Sequence, residues 1–162
     1  MELTITPNGL LQIDDCRIVY RNFSGLPSKF NREGDRNFSL VIDSEEIANA
    51  LKKEGWNVKI KPPREEGEEP FMTLKVNVNF NDRGPNVYLV TGKARVRLDE
   101  NTIKRLDNID IARVDMDVAP HNWEMADGRS GVSAYLRSMK ITHNPDRFEE
   151  EFAREDEEES IF

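Results

Sequence analysis

From Met72 to Phe80 the chain alternates apolar and polar side chains without a break. Met72, Leu74, Val76, Val78 and Phe80 share one parity, and Thr73, Lys75, Asn77 and Asn79 the other. Successive side chains of an extended strand point to opposite faces, so this segment reads as a β-strand with one face in a core and one in water. Phe71 opens the wet face, and Asn81, Asp82, Arg83, Gly84 and Pro85 end the strand in a turn. The pattern recurs along the chain. Trp56, Val58 and Ile60 oppose Asn57, Lys59 and Lys61. Tyr88, Val90, Gly92, Ala94, Val96 and Leu98 oppose Lys93, Arg95 and Arg97, and Ala112, Val114, Met116 and Val118 oppose Arg113, Asp115 and Asp117.

Further strands are expected at about 10–23, 36–42 and 132–142. In the last of these the apolar phase changes between Leu136 and Met139, as a β-bulge would cause. Helix signals are few. Asp43 or Ser44 can cap a segment running to Lys53, with Ile47, Ala50 and Leu51 on one face and Gly55 as its stop, and a short turn falls near Asn101 to Leu106. Loops are expected at 25–35, 62–70 and 119–131. Six or seven strands with no βαβ rhythm give a mainly β fold, a single antiparallel barrel or sandwich. The expected architecture is a five-stranded Greek-key barrel of the oligonucleotide-binding type with extra hairpins and one helix, its long glycine-containing first strand (Gly9 to Phe23) bending to join both sheets. An immunoglobulin-like sandwich fits the same periodicity.

Charge divides the chain in two. Residues 149–162 hold eight acidic side chains against Arg154 alone and contribute −7 to a net charge of −8, so residues 1–148 balance 22 basic against 23 acidic groups. So dense a like-charge run cannot bury enough apolar surface to order itself, and it reads as a disordered, solvated tail. Its end is not solvating: Ile161 and Phe162 place an apolar tip beside the terminal carboxylate, a pattern suited to docking in a partner's pocket. The expected domains are therefore 1–148, a binding barrel, and 149–162, a partner-docking tail. A single cysteine, Cys16, excludes an internal disulfide, and one thiol with two distant histidines, His121 and His143, cannot close a structural zinc site, so no cofactor or metal is expected. Neither a secretory leader nor a membrane span is indicated, which points to the cytoplasm, that of the host if the protein is viral, and makes the N-x-S tripeptides at Asn22 and Asn37 irrelevant to glycosylation.

Alternation turns a nearly neutral body into a polarised one. Lys59, Lys61, Lys75, Lys93, Arg95, Arg97 and Arg113 all project from wet faces, and if their strands are neighbours they form a cationic groove. Such a groove tracks phosphates, while exposed aromatic faces stack bases at roughly 1–3 kcal/mol each. Phe30, Phe71, Trp123 and Tyr135, the last beside Arg137, are the candidate stackers. Arg21-Asn22-Phe23-Ser24 recurs as Arg36-Asn37-Phe38-Ser39. If the copies lie on paired strands, Arg21 and Arg36 stand at the mouth of the groove, with Lys29 and Arg32 extending it.

With its strand-rich body, basic wet faces and acidic tail ending in Phe162, the chain resembles a phage single-stranded DNA-binding protein. The resemblance implies an oligonucleotide-binding barrel that binds single-stranded DNA without catalysis or sequence preference. It further implies roles in phage DNA replication and recombination, a tail that competes with DNA for the groove, and recruitment of replication or recombination proteins through Ile161 and Phe162. Homo-oligomers are compatible with it. The chain departs from the bacterial pattern in having Ile161 rather than proline before the last Phe, no glycine- and glutamine-rich linker, and a helix near 44–54. Two other classes remain open at this point. One is a metal-dependent nuclease using Asp115 and Asp117, with Asp110 or Asp107 completing the set; the other is a structural or host-interaction protein whose body ignores nucleic acid.

Overall fold

The computed structural model of the chain describes residues 1–144, so the expected tail, with Ile161 and Phe162, lies outside the described residues. Along the chain run strands β1 (Glu2–Ile5), β2 (Leu11–Asn22) and β3 (Arg36–Ile42), helix α1 (Glu45–Lys53), strands β4 (Val58–Lys61), β5 (Phe71–Val78), β6 (Asn86–Thr91) and β7 (Ala94–Leu98), a 3₁₀ turn (Ile103–Asp107), and strands β8 (Ile111–Glu124) and β9 (Ser130–His143). Five of them close on themselves. The ladder β5-β3-β2-β8-β9 is antiparallel throughout, and a short parallel pairing of Val76 with Ala134 and Asn77 with Tyr135 joins β9 back to β5. This is the oligonucleotide-binding-type barrel expected from the alternation, and closure removes the free edges that an open sheet would expose.

The dry parity of each strand fills the barrel: Leu11 and Ile13, Phe38, Leu40 and Ile42, Leu74, Val76 and Val78, Val114, Met116 and Val118, and Leu136, Met139 and Ile141 are all buried. Beyond β3, Ser44 caps α1 by accepting from the Ile47 N–H, Glu45 and Glu46 sit in its first turn and Lys52 and Lys53 in its last, and the helix buries Ala48 and Leu51. Its inner face thus runs through Ala48 and Leu51, one residue round from the expected Ala50. Near the Arg36 end of β3 the 3₁₀ turn buries Ile103 and Leu106.

Three departures from the sequence reading matter for function. The run 88–98 is not one strand but a hairpin, turning at Gly92 and Lys93, with Thr91 paired to Ala94. Its turn reverses the parity of β6, so Val87 and Leu89 are buried and Tyr88 faces outward. The segment 119–131 is not a loop: β8 and β9 continue as a long hairpin in which Trp123 pairs with Gly131. Finally, β2 bends through bulges at Asp15 and Tyr20, whose φ angles are 52° and 53°, rather than through Gly9, which sits in the β1–β2 turn. The bulge expected near Leu136 is present. Asp117 pairs with Ser138 and Val118 with Leu136, leaving Arg137 as the extra, exposed residue.

Candidate nucleic-acid interface

Register places the outward parity of β2, β3, β5 and β4 on one outer surface, in which Arg17, Lys59, Lys61 and Lys75 are exposed while Thr73 is buried between its neighbours. Arg17, Val41, Thr73 and Lys59 form one row across the four strands, and Val19, Ser39 and Lys75 form the next. A third row, Asn22, Asn37, Asn77 and Tyr135, carries the surface over the barrel seam onto β9, and Lys61 stands opposite Phe71 at the other end. These positions hold Arg17, Lys59, Lys61 and Lys75 and no carboxylate, so this stretch of the surface is positive, and it is bounded at the Leu11 end of β2 by exposed Asp14 and Asp15. Beyond Lys61 the charge reverses, because the 62–70 loop carries Glu65, Glu66, Glu68 and Glu69. A polyanion on this face is therefore favoured along the direction from Phe71 toward Tyr135.

Aromatic rings lie along that direction. The Tyr20 bulge turns its ring out to 63% exposure, edge-on to Phe71 at 6.5 Å, with the Lys61 ammonium 6.0 Å from the Tyr20 ring centre. By parity Tyr20 belongs to the core, and that is why the sequence reading passed over it; the bulge moves it to the surface. At the seam His121 and Tyr135 make a second edge-on pair at 5.5 Å. Trp123 follows His121 on the same face of β8 and lies flat over Gly131, where a Cβ would stand 2.7 Å from the indole. Phe30 is 88% exposed in the 25–35 loop, with the Lys29 ammonium 5.7 Å from its ring. Aromatic surface that folding leaves in water beside cations suits stacking of bases.

Other predicted residues stand elsewhere. Arg21 donates to the carbonyls of Leu106 (2.9 Å) and Ile109 (2.8 Å), and Arg36 pairs with Glu100, donates to its carbonyl and covers the Phe80 ring at 5.7 Å. The sequence repeat does pair with itself, Asn22 opposite Asn37 and Phe23 stacked on Phe38 at 5.2 Å, but its two arginines fasten the 99–109 segment to the end of the barrel. Lys93, Arg95 and Arg97 belong to the β6–β7 hairpin. Thr142, the β9 partner of Val90 in that hairpin, lies seven residues beyond Tyr135, roughly 20 Å at about 3.3 Å per residue. There Arg95 covers Tyr88 at 5.9 Å, Arg97 donates to Asn86, and Lys93, Arg95, Lys140 and Thr142 line a shallow hollow. Arg113 is held by Asp115 at 3.1 Å. The expected single trough is thus two positive surfaces, with Asp14, Asp115 and Asp117 on the flank between them beside β9.

The acids proposed for metal chemistry are engaged in structure. Burial alone would raise the Asp115 pKa, but the Asp15 N–H, the Arg113 guanidinium and the Lys140 ammonium hold it below the usual carboxylate range. Asp117 accepts from Ser138, Asp110 from Asn144, and Asp107 from the N–H groups of Phe23 and Ser24. Among the described residues no group of three or more His, Cys, Asp and Glu side chains is placed to hold a metal ion. The Cys16 thiol is pushed up to about 12 by burial and by nearby Asp115, and it donates to the Val114 carbonyl. No helix among the described residues is long and apolar enough to cross a membrane.

Residues 4–161 match the family described as "Putative phage ssDNA-binding domain", and the chain belongs to that family. Among solved structures it is similar to the single-stranded DNA-binding protein from bacteriophage Enc34, with a TM-score of 0.52 and 14% identity over 90% of this chain and 92% of that one. A C-terminal truncation of the same protein gives 0.49 and 14% over 90% and 97%. The gp2.5 single-stranded DNA-binding protein encoded by bacteriophage T7 gives 0.41 and 10% over 90% and 89%. At these identities the likeness bears on the fold, and the first of the three supports the closed barrel. None of the curated proteins matches the chain. The family is one of binding proteins, not of enzymes, which removes the nuclease reading.

Proposed function

We propose that this member of the phage ssDNA-binding family binds single-stranded DNA, without catalysis and without sequence preference, along the outer face of β2, β3, β5 and β4 and onto the β8–β9 hairpin. One observation carries the reading: four cations and the Tyr20–Phe71 pair, Tyr20 exposed and Phe71 half-buried, share a single surface whose strand-paired rows hold no carboxylate. Phosphates follow Arg17, Lys59, Lys61 and Lys75, while bases stack on Tyr20, Phe71 and Tyr135, contacts that every base can make. Family membership supports the same ligand.

In this reading residues 1–148 are the DNA-binding barrel domain and 149–162 a tethered polyanion. The tail competes with DNA for the positive face and, through Ile161 and Phe162, recruits replication or recombination partners, so that the protein protects and organises strands during phage DNA metabolism. The test is a titration with oligo-dT that follows the fluorescence of Trp123, on the hairpin, against buried Trp56. Quenching that saturates at a fixed number of nucleotides per chain is expected; no response to any single-stranded oligonucleotide would overturn the reading. Deleting 149–162 tightens binding at moderate salt, and equal affinities for both forms would remove the tail from the account.

A further inference from the structure

The barrel seam contains a gap that alternation along single strands does not reveal. Strand β5 pairs with β9 only as far as Asn77 opposite Tyr135, and β6 rejoins the same edge of β9 at Asn86 opposite Ser138. Between these contacts the chain leaves the sheet as the 79–85 turn, closed by reciprocal hydrogen bonds between Asn81 and Gly84, and the extra residue at Arg137 displaces β9 at the same level. The result is a cleft of about 380 Å³, open on one side. Asn79, Asn81 and Arg83 line it from the turn, His121 from β8, and Tyr135 and Arg137 from β9. Its volume falls in the range of small-ligand sites, roughly 300–1,000 Å³.

Chemistry narrows the occupant. The His121 and Tyr135 rings stand edge-on at 5.5 Å, presenting aromatic surface at the mouth. Arg137 is exposed on the bulge, and Arg83 is exposed on the turn, where the Arg83 N–H is held by the Asn81 side chain at 2.8 Å. Aromatic surface for a base, two guanidinium groups for a phosphate and asparagine amides for a base edge are the complement of a nucleotide. Register makes the cleft continuous with the DNA face, because Tyr135 ends the row that begins at Asn22.

We propose that this cleft is a single-nucleotide subsite at the end of the DNA track, where one base leaves the line of the strand to lie against Tyr135 and His121 while Arg83 and Arg137 hold its phosphate. The assignment rests on the single-stranded DNA reading above. It predicts that one position of a bound strand is anchored more tightly than its neighbours.

The experiment walks a single abasic site along an oligo-dT cut to the number of nucleotides that saturates one chain, so that register is fixed, and measures anisotropy with the full chain, its R83A and H121A variants, and a K104A control on the 3₁₀ turn, outside the cleft lining. Wild type and K104A are expected to lose about 5- to 150-fold in affinity when the abasic site reaches one particular position, from roughly 1–3 kcal/mol of stacking. In R83A and H121A that position-dependent step flattens. Arg83 and His121 are both exposed, so thermal melts coincident with wild type exclude misfolding as the cause, and a shifted melt moves the comparison to the remaining variant. Wild-type binding with no preferred position, or a step retained in both variants, overturns the subsite and leaves the DNA reading standing. Failure of wild type to bind the intact oligo-dT instead sinks the reading beneath it.

Discussion

Replacing Lys59, Lys61 and Lys75 by alanine removes three cations from the proposed DNA face, and all three are exposed. Stability should therefore move little, within about 0.5 kcal/mol per site, as for surface positions outside any network. Binding should change in a diagnostic way. Each phosphate neutralised on a single strand contributes about −0.7 to the slope of log K against log salt, so the triple variant flattens that slope by about 2. Raising salt from about 50 to 200 mM changes concentration fourfold, so the wild type loses roughly 20-fold more affinity over that range than the variant does. The assay is an oligo-dT titration at four or five salt concentrations, with K104A/R105A on the 3₁₀ turn as a comparison that removes charge away from the face. Refutation would be a slope change near zero in the triple variant, or an equal change in the comparison, because either result means that net charge and not placement governs binding.

Other expectations follow from single contacts. Gly131→Ala drives a methyl into the Trp123 indole and should destabilise by about 1–3 kcal/mol, visible as a lowered Tm together with altered tryptophan emission. Arg21→Ala leaves the Leu106 and Ile109 carbonyls without their donor and should lower stability by about 1–3 kcal/mol, while oligo-dT affinity measured well below the transition stays at the wild-type value. With a folded-state pKa raised to about 12 from 9.0, Cys16 favours the native state fully below pH 9 and loses that contribution as pH climbs toward 12; its native thiol should react slowly with a disulfide reagent at pH 8 and rapidly after denaturation. Asp115 has the opposite sign: its lowered pKa stabilises the fold above the usual carboxylate range, and acid titration removes that stabilisation, an effect that Asp115→Asn should abolish.

Much of the barrel was legible because period two is a local property. The alternation of Met72 to Val78 identified β5 and its wet face, and the parity break after Leu136 located the Arg137 bulge, since both are consequences of pleating along one strand. Chain reversals were read less well. Gly92 and Lys93 keep the alternation going across a two-residue turn, so the 88–98 hairpin looks like a single strand on paper, and its three cations were assigned to the wrong neighbourhood. Polar residues at 119–131 imitate a loop, yet cross-strand pairing carries β8 to Glu124. Which cations share a surface depends on strand order, a property of long-range pairing that no local pattern contains. Hence Lys59, Lys61 and Lys75 come together, whereas Arg21 and Arg36, promising by their repeat, bind backbone carbonyls at the barrel end. Tyr20 was missed because a bulge overturns the parity rule that the rest of β2 obeys, and the cleft beside Tyr135 because two strands share one edge of β9 with a gap between them.

Photo-crosslinking the full chain to a bromodeoxyuridine-substituted oligo-dT, followed by peptide mapping, asks most directly which surface holds the strand. Crosslinks are expected at Tyr20, Phe71 and Tyr135, with Trp123 on the adjoining hairpin. Adducts confined to Tyr88 and the rest of the β6–β7 hairpin would mean that DNA lies on the other positive surface, and the assignment of function to the outer face of β2, β3, β5 and β4 would be wrong.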